Sequence, residues 1–175
     1  MGKYEREKER LSQTPEIEIR PLAIGDDSTA FRTLNEEWIQ QLFTLEAKDR
    51  EMLGDPENTI LRKGGQIFMG WAVDRPEPEV VGCIAMIPMG EGEFELAKMA
   101  VVPQLRGQGI GRKLFEFAIE QAKLMGVKKL HLVSSTLLKN ALHLYESVGF
   151  QHLPFERRPA AEYARGDVYM EMHLS

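Results

Sequence analysis

The chain has 175 residues, 43% of them hydrophobic and 28% charged, enough for one domain with a sizeable buried core. No apolar run approaches the ~18–20 residues of a membrane span, and a formal charge of -5 argues against nucleic acid as a partner and favours a cationic one. The single cysteine, Cys83, excludes an internal disulfide framework, and its neighbours Val80, Val81 and Ile84 make it a buried strand thiol.

Residues 1–14 are charged and lack the apolar centre of a signal peptide. They read as a disordered or frayed tail on a cytoplasmic protein, with one domain from 15 to 175. Glu16 to Arg20 alternates polar and apolar residues and predicts a first strand. Asp26, Asp27 and Ser28 offer N-cap chemistry to a helix whose stripe is Phe31, Leu34, Trp38 and Leu42. A shorter helix, Leu45 to Leu53, stops at Gly54-Asp55-Pro56. Strands follow at Gln66–Val73 and Val80–Met86, joined by a hairpin loop at Asp74–Glu79. Another turn, Met89–Gly92, leads to a strand at Glu95–Val102. Beyond it come a helix at Ile110–Gly126, a strand at Leu130–Val133 and a helix at Lys139–Val148 capped by Gly149. Strands at Phe150–Phe155 and Asp167–Leu174 close the chain. The order βααβββαβαββ predicts an α/β fold, a mixed sheet flanked by helices on both faces.

The densest signal is Glu95-Leu-Ala-Lys-Met-Ala-Val-Val-Pro-Gln-Leu-Arg-Gly-Gln-Gly-Ile-Gly111. A strand ends at Pro103, a loop carries glycine at 107, 109 and 111, and helical spacing begins at Ile110. Such a strand, glycine-rich turn and helix start form an anion site, because unpaired N–H groups and the helix dipole meet there. A Rossmann fingerprint requires G-x-G-x-x-G and a later acid, whereas the spacing here is G-x-G-x-G and Lys129 to Ser134 contains no acid. A P-loop requires Gly-Lys followed by Ser or Thr, and Gly111 is followed by Arg112-Lys113-Leu114.

Arg106-Gly-Gln-Gly-Ile-Gly111 does fit R-x-x-G-x-G. With Met-Ala-Val-Val-Pro before it and Leu144-Tyr145-Glu-Ser-Val-Gly149-Phe150 after it, the chain resembles the GNAT N-acetyltransferase superfamily from about Ile17 onward. The resemblance implies acetyl-CoA as cosubstrate, held where the fourth and fifth strands splay apart. It assigns the pyrophosphate to the backbone of Arg106, Gly107, Gln108, Gly109, Ile110 and Gly111, with charge from Arg106 and Arg112. The pantetheine arm would pair with the strand at Met99, Ala100 and Val101. An asparagine that the family places seven residues before its tyrosine is Leu138 here, which leaves Asn140 and Ser135 as rival substitutes, either of which could simply cap a helix.

Acetyl transfer from a thioester to an amine needs a base, a donor to the oxyanion and an acid for the leaving thiolate. The resemblance makes Tyr145 the acid, and its phenol, ordinarily near pKa 10, suits a thiolate near 8.5. Glu95 is the candidate base, at a spacing similar to that of the base in the histone acetyltransferase branch, with Glu93 as a substitute. Strand alternation predicts Glu95, Ala97, Met99 and Val101 on one face. Trp38, Phe43, Phe68 and Tyr163 are candidate walls for the acceptor, although Trp38 also fits the core stripe of its helix. The acceptor is a small-molecule amine or a peptide amine. His131, His143, His152 and His173 lack metal-ligand spacing, and no metal is implied. The expected activity is direct N-acetyl transfer in a ternary complex; the alternative is a silent coenzyme-binding sensor. Asp167–Leu174, read as a sheet edge, invites pairing into a homodimer.

Overall fold

In the computed structural model, which describes residues 2–174, the alternating segments form one mixed sheet and the helically spaced segments pack on its two faces. The strands are β1 (Ile17–Pro21), β2 (Gln66–Ala72), β3 (Glu79–Gly90), β4 (Glu93–Val101), β5 (Lys129–Ser134), β6 (Gln151–His152) and β7 (Val168–His173). Their spatial order is β1-β2-β3-β4-β5-β7-β6. Pairing is antiparallel from β1 to β4, parallel between β4 and β5, and antiparallel again through β7 to β6. The helices are α1 (Lys3–Ser12), α2 (Thr29–Leu42), α3 (Ala47–Gly54), α4 (Pro56–Thr59), α5 (Ile110–Leu124) and α6 (Lys139–Ser147).

Each face of the sheet has its own core. On one, Leu114, Ala118 and Ala122 of α5 are fully buried against Ile84 and Met86 of β3 and Leu130 of β5, and Tyr145 of α6 packs at the margin. Small residues let α5 lie close. A Cβ on Gly82 of β3 would stand 2.8 Å from Leu114 Cδ1 and 3.2 Å from the Ala100 carbonyl. On the other face, Phe31 and Ile39 of α2 and Leu53 of α3 bury against Ile67, Met69, Cys83 and Ala85. Removing each such side chain from water contributes roughly 1.5–3 kcal/mol. Cys83 is wholly enclosed, and burial pushes its thiol up to about 12, as befits a small hydrophobe rather than a nucleophile.

Three features depart from the sequence reading. Where a frayed tail was expected, Lys3–Ser12 is helical, with exposed described side chains; its Lys, Glu and Arg residues favour helix, and Glu5 accepts the Gly2 N–H at 3.1 Å. β7 is not an edge strand, because it lies between β5 and the two-residue β6, so the expected sheet edge at this segment is not found. The expected long strand at Phe150–Phe155 shortens to Gln151–His152, since Pro154 supplies no N–H and a 3₁₀ turn starts at Phe155. No helix among the described residues is long and apolar enough to cross a membrane.

Candidate active site

The sheet opens in its middle. β4 pairs with β5 only at Glu93, Glu95 and the residue between them, opposite Lys129 to His131. Beyond Glu95 the two strands part, and the β4 edge up to Val101 has no partner strand. A bulge lies in this free stretch: Ala85 faces Ala97 and Cys83 faces Ala100, so Lys98 and Met99 share the place of one residue opposite Ile84. Lys98 adopts the left-handed conformation, with φ 54°, which is unusual for a side chain in mid-strand and commonly marks a functional position.

The bulge overturns the expected alternation. Met99 and Val101 turn towards the α5 core, whereas Glu95, Ala97 and Lys98 line a cleft on the α2/α3 side. Trp38 and Phe43 form one wall of the cleft and Tyr163 and Arg165 another. Lys98 Nζ donates to Asp49 Oδ1 at 2.5 Å and to the Tyr163 hydroxyl at 3.3 Å. Arg165 grips the same carboxylate through both terminal nitrogens, at 2.7 and 2.8 Å. Asp49 has no exposed surface. Burial alone would raise its pKa, but hydrogen bonds from Arg165 and Lys98 outweigh that and hold it far below the usual carboxylate range. Lys98 is pulled down by its burial, against the opposing pull of Asp49. The trio joins α3, β4 and the loop before β7, which fixes the cleft walls.

Glu95 differs from every other carboxylate here. No donor among the described residues hydrogen-bonds it, and burial pushes its carboxyl up to about 7, with Glu162 adding to the rise and Lys48 and Lys98 opposing it. A carboxylate poised there can take and return a proton near neutrality.

The glycine loop adjoins the free end of β4. Gly107 and Gly109 have φ of 78° and 83°, and Gly109 is the N-cap of α5. Across residues 107–112 no backbone N–H has a protein acceptor among the described residues. These donors converge at a helix N-terminus, an arrangement that suits a phosphate. The buried amide oxygen of Gln108 likewise lacks a partner.

A family model described as "Acetyltransferase (GNAT) family" matches residues 30–150. The chain belongs to that family. It is 41% identical over 88 residues to the uncharacterized N-acetyltransferase YjgM of Escherichia coli K12, a match covering 49% of this chain and 52% of that relative. Alignments with the first curated relatives span about half of their lengths or less. Among solved structures, a GNAT-family acetyltransferase of Staphylococcus aureus Mu50 superposes with TM-score 0.79 at 19% identity, over 91% of this chain and all of that one. The PaiA N-acetyltransferase of Thermoplasma acidophilum, solved in complex with coenzyme A, gives TM-score 0.68 at 20% identity, covering 91% and 99%. At these identities the two structures show the fold.

Within this GNAT domain the expected residues divide. Ser135 is buried beside the cleft and accepts the Leu137 N–H at 3.2 Å, whereas Asn140 is exposed on α6 and its side chain makes no hydrogen bond among the described residues. Tyr145 stacks on Phe115 at 4.9 Å, and burial pushes its phenol up to about 12. It packs on the α5 side of the sheet and outside the cleft lining, whereas Glu95 lines the cleft on the opposite face. The Arg106 guanidinium does not join the loop. It donates to the Val101 carbonyl at 3.1 Å and pairs with Glu37 of α2 at 2.9 Å. Arg112 reaches Ser147 at 2.7 Å and Glu116 at 3.4 Å. Glu93 is engaged by Lys129 at 3.1 Å and His131 at 3.5 Å, which leaves Glu95 as the free carboxylate.

Of the expected walls, Trp38, Phe43 and Tyr163 do line the cleft. Phe68 does not; it is buried in the α5 core, edge-on to Phe117 at 5.2 Å. Sequence reasoning missed Asp49, Lys98 and Arg165. One signal was available, a lysine within the apolar run Leu96-Ala97-Lys98-Met99-Ala100-Val101. Asp49 lies 49 residues before Lys98 and 116 before Arg165, and neither Asp49 nor Arg165 carries a local mark.

Proposed function

We propose that the domain transfers the acetyl group of acetyl-CoA to a primary amine by direct attack in a ternary complex. The observation that carries this reading is Glu95: a carboxyl near 7 without a hydrogen-bond partner among the described residues, at the opening between β4 and β5, on the strand that leads towards a loop of unpaired N–H groups. The fit to the cosubstrate rests on that loop, on its two left-handed glycines and on the β4 edge around Met99 to Val101, which has no partner strand among the described residues and offers backbone groups to an amide-containing arm, although the Val101 carbonyl already accepts from Arg106.

An ammonium acceptor enters the cleft and gives a proton to Glu95, directly or through a water. The free amine attacks the thioester carbonyl carbon, a C–N bond forms, and the C–S bond breaks as the tetrahedral intermediate collapses. The attacking nitrogen, which still carries a surplus proton once the C–N bond has formed, passes it to water; Tyr145, on the other face, protonates the departing thiolate and regains its proton from solvent. Glu95 then releases its proton to solvent. Ser135, rather than Asn140, is the polar side chain placed to meet the coenzyme arm. The acceptor is a small-molecule or peptide amine, and the protein is assigned to the cytoplasm.

A coenzyme-binding sensor without transfer is the second reading, favoured by Leu138, an apolar side chain at the cleft where the family pattern has an amide. Thiol release from acetyl-CoA, measured with amines, amino acids and short peptides, separates the two. Amine-dependent release that falls in Tyr145→Phe supports the transferase and its acid. Release unchanged in that variant removes Tyr145 from the role. Saturable coenzyme binding without release by any acceptor supports the sensor.

A further inference from the structure

The charges around the cleft point to the kind of amine it takes. Its lining carries two cations, Lys98 and Arg165, and one carboxylate, Glu95. Neither cation is free. Both bind Asp49, and Arg165 also reaches Glu46 Oε2 at 3.2 Å. At the rim Lys48 is paired with Glu162. Three cations (Lys48, Lys98, Arg165) therefore face three carboxylates (Glu46, Asp49, Glu162), and Glu95 is left over. His131, opposite Glu95 on β5, leans towards Glu93 instead. The remaining walls are mostly apolar, with Trp38, Phe43, Val133, Leu138 and the Tyr163 ring, and their uncharged polar side chains are Ser134 and Ser135.

We propose that the cleft selects a primary amine that is a single cation on an apolar body, and rejects amines that also carry a carboxylate. This rests on the transferase reading and narrows its acceptor. A lone ammonium meets the one uncompensated charge, and the walls cover its hydrocarbon part. A carboxylate on the same molecule finds both lining cations already held, Lys98 by the buried Asp49 and Arg165 by a bidentate contact with it, and it faces Glu95.

The test compares phenethylamine, phenylalanine and phenylalanine amide as acceptors with the full chain and acetyl-CoA. The three share a ring and an amine and differ in the carboxylate. Their binding to the protein–coenzyme A complex is followed by calorimetry beside thiol release. The expected kcat/KM for phenethylamine exceeds that for phenylalanine by about a hundredfold or more, the cost of an unmatched like charge, and the amide sides with phenethylamine. Phenylalanine used as well as phenethylamine overturns the selection and leaves the transferase standing. Selective binding of phenethylamine without thiol release keeps the selection and overturns transfer. Absence of both binding and release for all three overturns the selection. Glu46→Gln, at a partly exposed position, uncovers positive charge on Arg165 and should narrow the preference; an unchanged ratio shows that paired charges do not set it.

Discussion

Replacing Glu95 with glutamine isolates the most consequential group in the cleft. Glu95 rises from an ordinary 4.5 to about 7, chiefly because the protein buries it and secondarily because Glu162 lies nearby. At ~1.36 kcal/mol per pKa unit this bounds the cost of ionising it in the folded state at about 3 kcal/mol, and solvent screening at the cleft mouth reduces that to about 1–2 kcal/mol. The sign follows from proton counting. Between pH 4.5 and 7 the folded chain holds a proton that the unfolded chain has lost, so the stability from protonated Glu95 is present below the unfolded value and lost as pH rises through 7. Glutamine mimics the protonated acid at every pH. Urea unfolding should find Glu95→Gln nearly as stable as the wild type at pH 5 and more stable by about 1–2 kcal/mol at pH 8. The same variant should lose about 10²–10⁴-fold in kcat/KM, together with the rising limb near pH 7. An equal stability difference at both pH values would refute the buried, uncompensated carboxylate. A retained rising limb would show that another group is the base.

Other perturbations have equally definite outcomes. Asp49→Asn leaves Lys98 and Arg165 without their shared buried partner and should cost about 3–5 kcal/mol at pH 7 in chemical denaturation. Because the folded pKa of Asp49 is depressed, that gap should be present above the unfolded value of 3.8 and close as pH falls through the lower folded value; a gap constant with pH would mean that Asp49 is not held ionised. Gly109→Ala meets no obstructing atom but forces a side chain to φ 83°, at roughly 1–2 kcal/mol. Calorimetry should show coenzyme A affinity falling about tenfold for that loss, and unchanged affinity would take Gly109 out of the anion loop. Gly82→Ala should destabilise by about 1–3 kcal/mol, since its Cβ would press on Leu114 at 2.8 Å. Leu114→Ala in the same chain should recover part of that loss, and strict additivity of the two would contradict the close packing of α5.

The order of elements from β1 onward, apart from the short α4, the two-sided sheet and the glycine loop follow from patterns a few residues long. Alternation defines β1 and β2, the spacing of Leu114, Ala118 and Ala122 defines α5, and glycines at 107 and 109 mark where only a left-handed backbone turns into the helix. Glu95 was nominated by the family resemblance, through its spacing on the strand, and not by residue type alone. Tertiary structure decided the rest. A bulge inserts one residue and reverses which side chains face which layer, so alternation assigned Met99 and Val101 to the wrong side of β4. Asp49, Lys98 and Arg165 come from a helix, a strand and a loop, and their pairing is enforced by the cost of leaving any one of them buried alone. The position of β7 between β5 and β6, and the parting of β4 from β5 beyond Glu95, depend on which edges meet in the assembled sheet. Local sequence fixes conformation through sterics and periodic burial, whereas the compensation of buried charge is a property of contacts that form only when distant segments pack.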